Sequence, residues 1–495
     1  MNPFKSTVAP LERLNKIIDN FNFRNASIFL IILGISIRLF HFLLNRSLWL
    51  DEAMLSNNII NRNYLQLLQP LDERQIAPVG FLMVQKFMIS TFGVSEYSLR
   101  AFPTLAGILS IILFYFLFRK IAGEKVACTG LLFFIFGKFL YYHSTEAKQY
   151  YMDVFAYIIA FYYLYFKTPD FRSLKSIISK GVIGAVLIWF SHCTVFFLVS
   201  IGFAIMIEII HSGKFKSAAG FLLMCFIWII SFGINYYFFL FNHSSQSIQE
   251  SAFITEGYLP PEGPLKDTLL WLFPLLKQSV TYPVSISSAL PLIILICFGI
   301  WYILKNKEYR LLTLALPFLI HIILSLLYIY PFGGRFNLYI GTLFILYITL
   351  GLKAVAVEVR LIGIPIALLT LFLNIFDPAK TSFRPVEFEE MKPALKYIQD
   401  HKNENDIVYI HFASMPSFRF YKDKYPLGNS EIIPGSGFDN DFNLISTKDR
   451  VWLLLTHFDD SEKFYIMEKC SSSGTLMEQF DYGGALTLLY SFAEK

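Results

Sequence analysis

Eleven apolar stretches spread over residues 26–376 constrain this 495-residue chain more than any other feature. A membrane-spanning helix needs about 20 apolar residues, and fewer where the bilayer thins. Only 16% of the residues are charged, against about 25% in a typical soluble domain. The sequence therefore predicts a polytopic α-helical membrane protein and argues against a soluble enzyme. The predicted spans are 26–44, 103–118, 126–142, 152–166, 179–190, 194–210, 218–241, 286–304, 311–329, 336–352 and 361–376.

The positions of Lys and Arg orient these spans. With eleven spans and a cytoplasmic N-terminal segment, residues 1–25, every cytoplasmic segment is basic, as the positive-inside rule requires. The stretch 79–93 contains Gln85 and Lys86, and it reads as an amphipathic helix at the membrane interface. If it spanned the bilayer, the basic segments that follow would lie outside.

The remaining segments then fall on the outer side. The transmembrane domain, residues 26–376, carries two long outside loops, 45–102 and 242–285, and a short one near 143–151. After residue 376 the hydropathy pattern changes, and residues 380–495 alternate helix and strand signals. We expect these residues to form a small soluble α/β domain outside the membrane.

Several function classes are disfavoured by simple counts. The five Cys form neither a disulfide framework nor a CxxC metal site. The net charge of +5 is small and dispersed, which argues against a nucleic-acid partner. The absence of an internal repeat in the sequence disfavours a secondary transporter.

Two adjacent acids, Asp51 and Glu52, follow the first span in the sequence SLWLDEA. Burying two carboxylates among apolar residues at a membrane surface costs desolvation free energy. One interpretation is a helix N-cap, with Asp51 capping the helix that begins AMLSNNII. The other is a general base that faces a membrane-embedded substrate.

A second polar cluster follows the third span, in the sequence YYHSTEAKQYYMDVF. On a continuous helix, Glu146, Gln149, Tyr150 and Asp153 would share one face, since they occupy positions i, i+3, i+4 and i+7. This face predicts a substrate contact, or else an interfacial helix start with aromatic-belt tyrosines.

The ordered motifs over residues 30–210 resemble the membrane glycosyltransferases of the GT-C fold, in particular family 39, the protein O-mannosyltransferases and aminoarabinose lipid A transferases. SLWLDEA is similar to the acidic motif of that family's first loop, RQIAPVGFLMVQKF to its proline-containing helix entry, and SLRAFP to its Leu-Arg-hydrophobic-Pro segment. The resemblance implies that Asp51 is the catalytic base, or orients the acceptor, with Glu52 as its companion. It also places Gln75 and Arg100 at substrate- or phosphate-binding positions.

The same resemblance implies donor contacts elsewhere. It assigns Glu146, Lys148, Gln149 and Tyr150 to the donor sugar or its phosphate, and Arg335, in YPFGGRFN, to phosphate. Some members of this fold use a divalent metal and others do not. No cofactor is certain, and the candidate metal ligands are Asp51, Glu146 and His243.

The implied reaction is transfer of a sugar from a polyprenyl-phosphate donor to a hydroxyl of a lipid, glycan or protein acceptor on the outer side of the membrane. One base without a covalent nucleophile predicts inversion at the anomeric carbon. The alternatives are a transporter or flippase of lipid-linked saccharides, or a polymerase of such saccharides. The richness in Phe, Ile, Asn and Lys suggests an AT-rich bacterial genome and therefore a bacterial inner membrane.

Overall fold

The computed structural model describes residues 20–167, 170–241, 265–284, 289–358, 372 and 374–492. The chain divides into two units. The helical unit comprises Met1–Phe42, Ala77–Phe81 and Ala101–Arg384, and the sheet unit comprises Leu43–Ile76, Leu82–Arg100 and Pro385–Lys495. Most of the first long loop therefore belongs to the same unit as the C-terminal residues, although most of the apolar stretches lie between them in the sequence.

The helices are numbered in chain order. They are α1 (Phe23–Leu43), α2 (Leu50–Asn61), α3 (Val79–Phe92), α4 (Glu96–Ala122), α5 (Glu124–Phe136), α6 (Lys138–Ser144), α7 (Tyr150–Ile159), α8 (Leu174–Ile188), α9 (Thr194–Ser212), α10 (Ala218–Asn235), α11 (Leu265–Thr281), α12 (Ala289–Lys305), α13 (Leu316–Leu326), α14 (Ile340–Glu358), α15 (Met391–His401), α16 (Met415–Tyr421), α17 (Phe438–Ile445) and α18 (Asp460–Ser473). A further helix covers 374–381. π-Helical turns extend α7 through Ala160–Phe166 and α10 through Tyr236–Leu240.

Six helical stretches within the described residues are long and apolar enough to cross a membrane. They are Phe23–Leu43, Glu96–Ala122, Thr194–Ser212, Phe215–Leu240, Tyr309–Leu326 and Ile340–Glu358. Helices α5 and α6 pass the same test as a pair, and they are bent by 66° at their junction. The chain is thus a polytopic α-helical membrane protein, which confirms the class that the apolar stretches predicted.

The number of spans stays a prediction. The predicted spans 152–166, 179–190 and 286–304 coincide with α7 and its extension, α8 and α12, which are shorter helices. Most of the span predicted at 361–376 lies outside the described residues, as do residues 1–19, most of the loop 242–285 and His243. Helix α3 forms at the place of the predicted amphipathic helix, and its position at the interface stays a prediction.

Two glycines let α12 and α14 pack backbone against backbone. A Cβ on Gly299 would lie 2.1 Å from the carbonyl oxygen of Tyr347, and one on Gly351 would lie 2.0 Å from that of Leu295. Any larger residue would push the helices apart, and small residues commonly permit such close approach between membrane helices. The contact fixes the position of α14, which begins shortly after the turn that carries Arg335.

A five-stranded sheet of order β2-β1-β3-β5-β4 forms the core of the sheet unit. Strands β1, β2 and β3 run parallel, whereas β5 pairs antiparallel with β3 and β4. Strands β3 and β5 are buried at nearly every position, because both of their faces are covered. The strands are β1 (Ile407–Ile410), β2 (Ile432–Pro434), β3 (Arg450–Thr456), β4 (Thr475–Tyr482) and β5 (Ala485–Ser491).

The small α/β fold predicted near the C-terminus is confirmed in its elements. The segment MKPALKYIQDH forms α15, and DIVYIHF, VWLLLTH and LTLLYSF supply β1, β3 and β5. The segment FYIMEKC lies within α18. The boundary at residue 380 and the location outside the membrane stay predictions.

Candidate functional site

Asp51 and Glu52 lie in the first turn of α2, which begins at Leu50. The N-cap residue is Trp49, and its side chain makes no capping hydrogen bond. The interpretation of Asp51 as the N-cap is therefore wrong, because the helix begins at Leu50, three residues before the Ala53 at which the sequence pattern began it. Both acids instead lie among the first helical N–H groups, where the helix dipole stabilises negative charge.

Glu52 is fully buried and forms a two-point ion pair with Arg100. The guanidinium Nε lies 2.9 Å from Oε1 of Glu52, and Nη2 lies 2.6 Å from Oε2. Arg100, itself 1% exposed, also donates to the carbonyl oxygens of Arg46 at 2.7 Å and Ser47 at 3.0 Å. A buried carboxylate needs such pairing. Arg100, predicted as a phosphate contact, is thus directed at Glu52 and the backbone before α2.

Asp51 is only partly buried, unlike its neighbour. The Nε2 atom of Gln75, another predicted site residue, lies 3.5 Å from Oδ1 of Asp51. Gln75 follows the turn Asp72–Arg74, in which Glu73 and Arg74 both have positive φ, at 56° and 55°. A backbone held in this sparsely populated region fixes where Gln75 points. The structure therefore brings Gln75 beside Asp51.

The second cluster is not on one helix face, and that prediction is wrong. Helix α6 ends at Ser144 and α7 begins at Tyr150, so Glu146 and Gln149 lie in the turn between them. The hydroxyls of Ser144 and Thr145 donate to carbonyl oxygens of the preceding turn, at 2.7 and 3.0 Å. Such side-chain bonds compete with the backbone bonds that would continue a helix.

Glu146 pairs with a histidine that the sequence interpretation missed. His143 Nδ1 lies 2.5 Å from Oε2 of Glu146, and both side chains are buried. On the other side of the ring, Nε2 lies 2.9 Å from the hydroxyl of Tyr282. Burial raises the pKa of Tyr282, so the hydroxyl keeps its proton and can donate it in a hydrogen bond. In the tautomer that carries its proton on Nδ1, the ring donates to Glu146 through Nδ1 and accepts from Tyr282 at Nε2.

Two cations lie against the ring of Tyr150. Arg335 Cζ is 4.9 Å and Lys148 Nζ is 5.6 Å from the ring centroid. Arg335 lies on the turn Gly334–Asn337, and the two preceding turn positions have φ of 126° and 49°, which glycine adopts without strain. Two cations at one aromatic ring concentrate positive charge, which suits an anionic group such as a phosphate.

Asp153 and Lys86, which the sequence also drew attention to, serve other contacts. Asp153 accepts a hydrogen bond from Ser191 at 2.6 Å and is buried. Lys86 donates to the carbonyl oxygens of Ile59 and Ile60, at 2.9 and 3.1 Å, near the C-terminal end of α2. The Lys86 contact satisfies carbonyl groups at the end of α2, whereas the Asp153 contact joins α7 to the segment between α8 and α9.

The predicted site residues gather in two clusters, one in each unit. The first-loop cluster consists of Asp51, Glu52, Gln75 and Arg100, and the turn cluster consists of His143, Glu146, Lys148, Tyr150, Tyr282 and Arg335. Gln149 lies in the same turn, between Lys148 and Tyr150. Within the described residues, no group of three or more His, Cys, Asp or Glu side chains could hold a metal ion.

No family model and no curated protein matches the chain. Its structure is similar to that of ArnT from Cupriavidus metallidurans in the apo state, with a TM-score of 0.47 and 11% identity, covering 94% of this chain and 98% of that one. It is also similar to the Archaeoglobus fulgidus oligosaccharyltransferase in complex with Zn and sulfate, with a TM-score of 0.48 and 12% identity over 93% of this chain and 73% of that one.

Proposed function

We propose that this protein is an integral-membrane glycosyltransferase, which transfers a sugar from a polyprenyl-phosphate donor to an acceptor hydroxyl on the outer side of the membrane. One observation carries the proposal: the two adjacent acids have separate tasks. Arg100 neutralises and buries Glu52, whereas Asp51, the next residue along the chain, is partly exposed beside Gln75. Asp51 is then the acid of the pair that can meet a substrate.

In this reaction Asp51 is the general base. It accepts the proton of the acceptor hydroxyl as that oxygen attacks the anomeric carbon, while the bond from the anomeric carbon to the phosphate oxygen breaks. The polyprenyl phosphate leaves with the electron pair of that bond. A single displacement of this kind inverts the anomeric configuration. Glu52 stabilises the first turn of α2 through Arg100 and takes no proton.

The leaving phosphate gains negative charge as the bond breaks, so positive groups that bind it more tightly at that point accelerate the reaction. Within the turn cluster, we assign this role to Arg335 and Lys148, which both lie against the ring of Tyr150. Glu146 holds His143, and His143 in turn orients the hydroxyl of Tyr282 for a contact with the sugar or its phosphate. Gln149 takes part in the same donor contacts.

The acceptor is a lipid, glycan or protein hydroxyl, and the location is the bacterial inner membrane with residues 380–495 outside. The basic residues of the predicted cytoplasmic segments support this orientation. No step of the mechanism passes through a metal ion.

The experiment that tests the proposal uses membranes that contain the protein, a radiolabelled panel of polyprenyl-phosphate sugars and cellular acceptors. Asp51→Asn preserves the shape of the side chain and removes the base, so we expect transfer to fall by about 10²–10⁴-fold. Asp72→Asn is the matched control, since it removes the same charge from the same loop at a side chain that is 74% exposed. The control should retain wild-type transfer.

Transfer by Asp51→Asn at a rate near wild type would overturn the proposal. Labelled donor that crosses sealed vesicles without any transfer of sugar would instead support the transporter alternative. A chelator in a parallel reaction tests whether a divalent metal takes part, since loss of transfer would support a metal and continued transfer would argue against one.

A further inference from the structure

The carboxyl ends of β1 and β3 form the edge at which open α/β sheets usually bind their ligands. The strand order reverses at β1, since β2 lies on one side of it and β3 on the other. His411 follows β1 directly, and His457 follows β3. The Gly483–Gly484 turn is at the same edge, because Thr456, which ends β3, pairs with Ala485, which begins β5.

A segment of the chain itself, residues 46–50, is bound at this edge. The N–H of Leu50 donates to Oε2 of Glu389 at 2.8 Å, and Oε1 of the same carboxylate lies 2.7 Å from Nδ1 of His457. The N–H of Glu390 donates to the carbonyl oxygen of Gly483 at 3.0 Å. The place that a ligand would take in a related fold is therefore occupied by the residues that lead into Asp51.

Further hydrogen bonds from the C-terminal part of the sheet unit fix the same segment. Glu390 Oε2 accepts from the N–H of Ser47 at 3.1 Å, the hydroxyl of Tyr421 accepts from the N–H of Leu48 at 2.9 Å, and the hydroxyl of Ser417 donates to the carbonyl oxygen of Leu48 at 2.9 Å. We call Glu389, Glu390, Ser417, Tyr421 and His457 the loop clamp. Burial raises the pKa of Tyr421, so its hydroxyl stays protonated and also donates to Glu96 at 3.1 Å.

Glu389 supplies the side-chain acceptor that the N-terminus of α2 lacks among its neighbours in sequence. The first N–H groups of a helix have no partner within the helix, and the N-cap Trp49 offers no side-chain acceptor. The carboxylate of Glu389, which is 7% exposed, accepts from the first of these groups and also places negative charge at the positive end of the helix dipole. Asp51 is the very next residue, so its position depends directly on this contact.

We infer that residues 385–492 hold the segment 46–50 in place, and that Glu389, oriented by His457, is a positioning residue for Asp51. The inference rests on the proposed function of Asp51. It assigns the C-terminal residues a role in the geometry of the base, instead of a role in capturing acceptor or glycan at this edge of the sheet. A displacement of about 1 Å in a reacting group costs on the order of 10²-fold in rate.

The experiment uses the full-length protein with three substitutions at one position, Glu389→Ala, Glu389→Asp and Glu389→Gln. The alanine variant lacks the acceptor and the aspartate is one methylene too short, so we expect kcat to fall about 100-fold in both. The KM for the donor should stay within about twofold, because the donor contacts are unchanged. Glutamine keeps an oxygen for the N–H of Leu50, and we expect it to retain at least a third of the wild-type kcat.

Glu404→Ala is the control, since it removes an exposed glutamate from the same part of the sheet unit and should leave kcat unchanged. Hydrogen exchange provides a second readout that is independent of activity. In Glu389→Ala, peptides covering residues 48–55 should exchange faster, whereas those covering β3 should exchange as in the wild type.

Two results would overturn the inference. One is a Glu389→Ala variant that keeps the wild-type kcat while Asp51→Asn is inactive. That result would leave the proposed function intact. The other is equal loss of protection in β3, or equal loss of kcat in the glutamine and alanine variants, since either would mean general destabilisation. Activity of Asp51→Asn itself would mean instead that the proposed function has failed.

Discussion

The first-loop cluster and the turn cluster both bury a carboxylate, but they support it in different ways. Glu52 is paired with Arg100, and the backbone beside it is held by the loop clamp, whose residues lie more than 300 positions further along the chain. Glu146 is paired with His143, only three positions away. The geometry of the first cluster therefore depends on how the sheet unit folds, whereas the second depends chiefly on one local turn.

The largest expected effect comes from breaking the support of Glu52. Arg100→Leu would leave a buried carboxylate without its ion pair, so we expect a loss of about 3–5 kcal/mol in the free energy of unfolding. Denaturant or thermal unfolding of the protein in detergent measures this loss of stability. The double variant Arg100→Leu/Glu52→Leu should recover much of this loss, because it removes the uncompensated charge as well. A single variant as stable as the wild type would show that the pair contributes no stability.

A smaller effect is expected from the corresponding change in the turn cluster. His143→Phe removes a hydrogen bond to the charged Glu146, which is worth about 1.5–3 kcal/mol. Because the contact is local, faster hydrogen exchange should be confined to peptides near residues 138–150. Tyr282→Phe is the milder control, since it removes only the outer hydrogen bond of His143. Hydrogen exchange that increased equally throughout the helical unit would contradict the view that the His143–Glu146 contact stabilises only this turn.

The third expected effect appears only at acid pH, and it involves the edge of the sheet. Burial lowers the pKa of His411 from its ordinary 6.5 to about 4, with Asp441 raising it and His457 lowering it further. The ring is therefore neutral at pH 7, and its 3.3 Å contact with Glu462 is not an ion pair at that pH. The unfolded chain binds the proton more readily, so His411 should reduce stability as the pH falls from about 6.5 to about 4, with no effect above 6.5.

Unfolding temperatures of the wild type and His411→Phe at several pH values check this expectation. The variant should lose less stability than the wild type between pH 6.5 and pH 4. Burial raises the pKa of Glu462, so protonation of this group favours the folded state as the pH falls. The Glu462→Gln variant should therefore lose stability more steeply with falling pH than the wild type. Parallel curves for the wild type and His411→Phe would contradict the expectation.

The same contrast explains what the sequence could and could not predict. Apolar length identifies the membrane helices, and two acids beside apolar residues identify Asp51 and Glu52, because these signals are local. Strand β4 was missed, since it is mostly exposed and carries no apolar run. Glu389 and Tyr421 were missed because no local sequence pattern indicates their contacts with residues 46–50, which lie more than 300 positions earlier. His143 could have been found, since it lies only three positions before Glu146.

The helix prediction over residues 146–153 failed for a related reason. A spacing of i, i+3, i+4 and i+7 shows only where side chains would point if the helix were continuous. Ser144 and Thr145 carried the contrary signal, because their hydroxyls bond to backbone carbonyls and favour a turn at that point.

The separation of 339 residues between Leu50 and Glu389 also sets an order of events during biosynthesis. At about 5–20 residues per second, roughly 20–70 s pass between synthesis of the loop that carries Asp51 and synthesis of the residue that caps its helix. Through that interval the segment 46–50 lacks the C-terminal partners that fix it in the folded chain. Under the proposed function, catalytic competence would arise only as translation ends, and a prematurely terminated chain would be inactive.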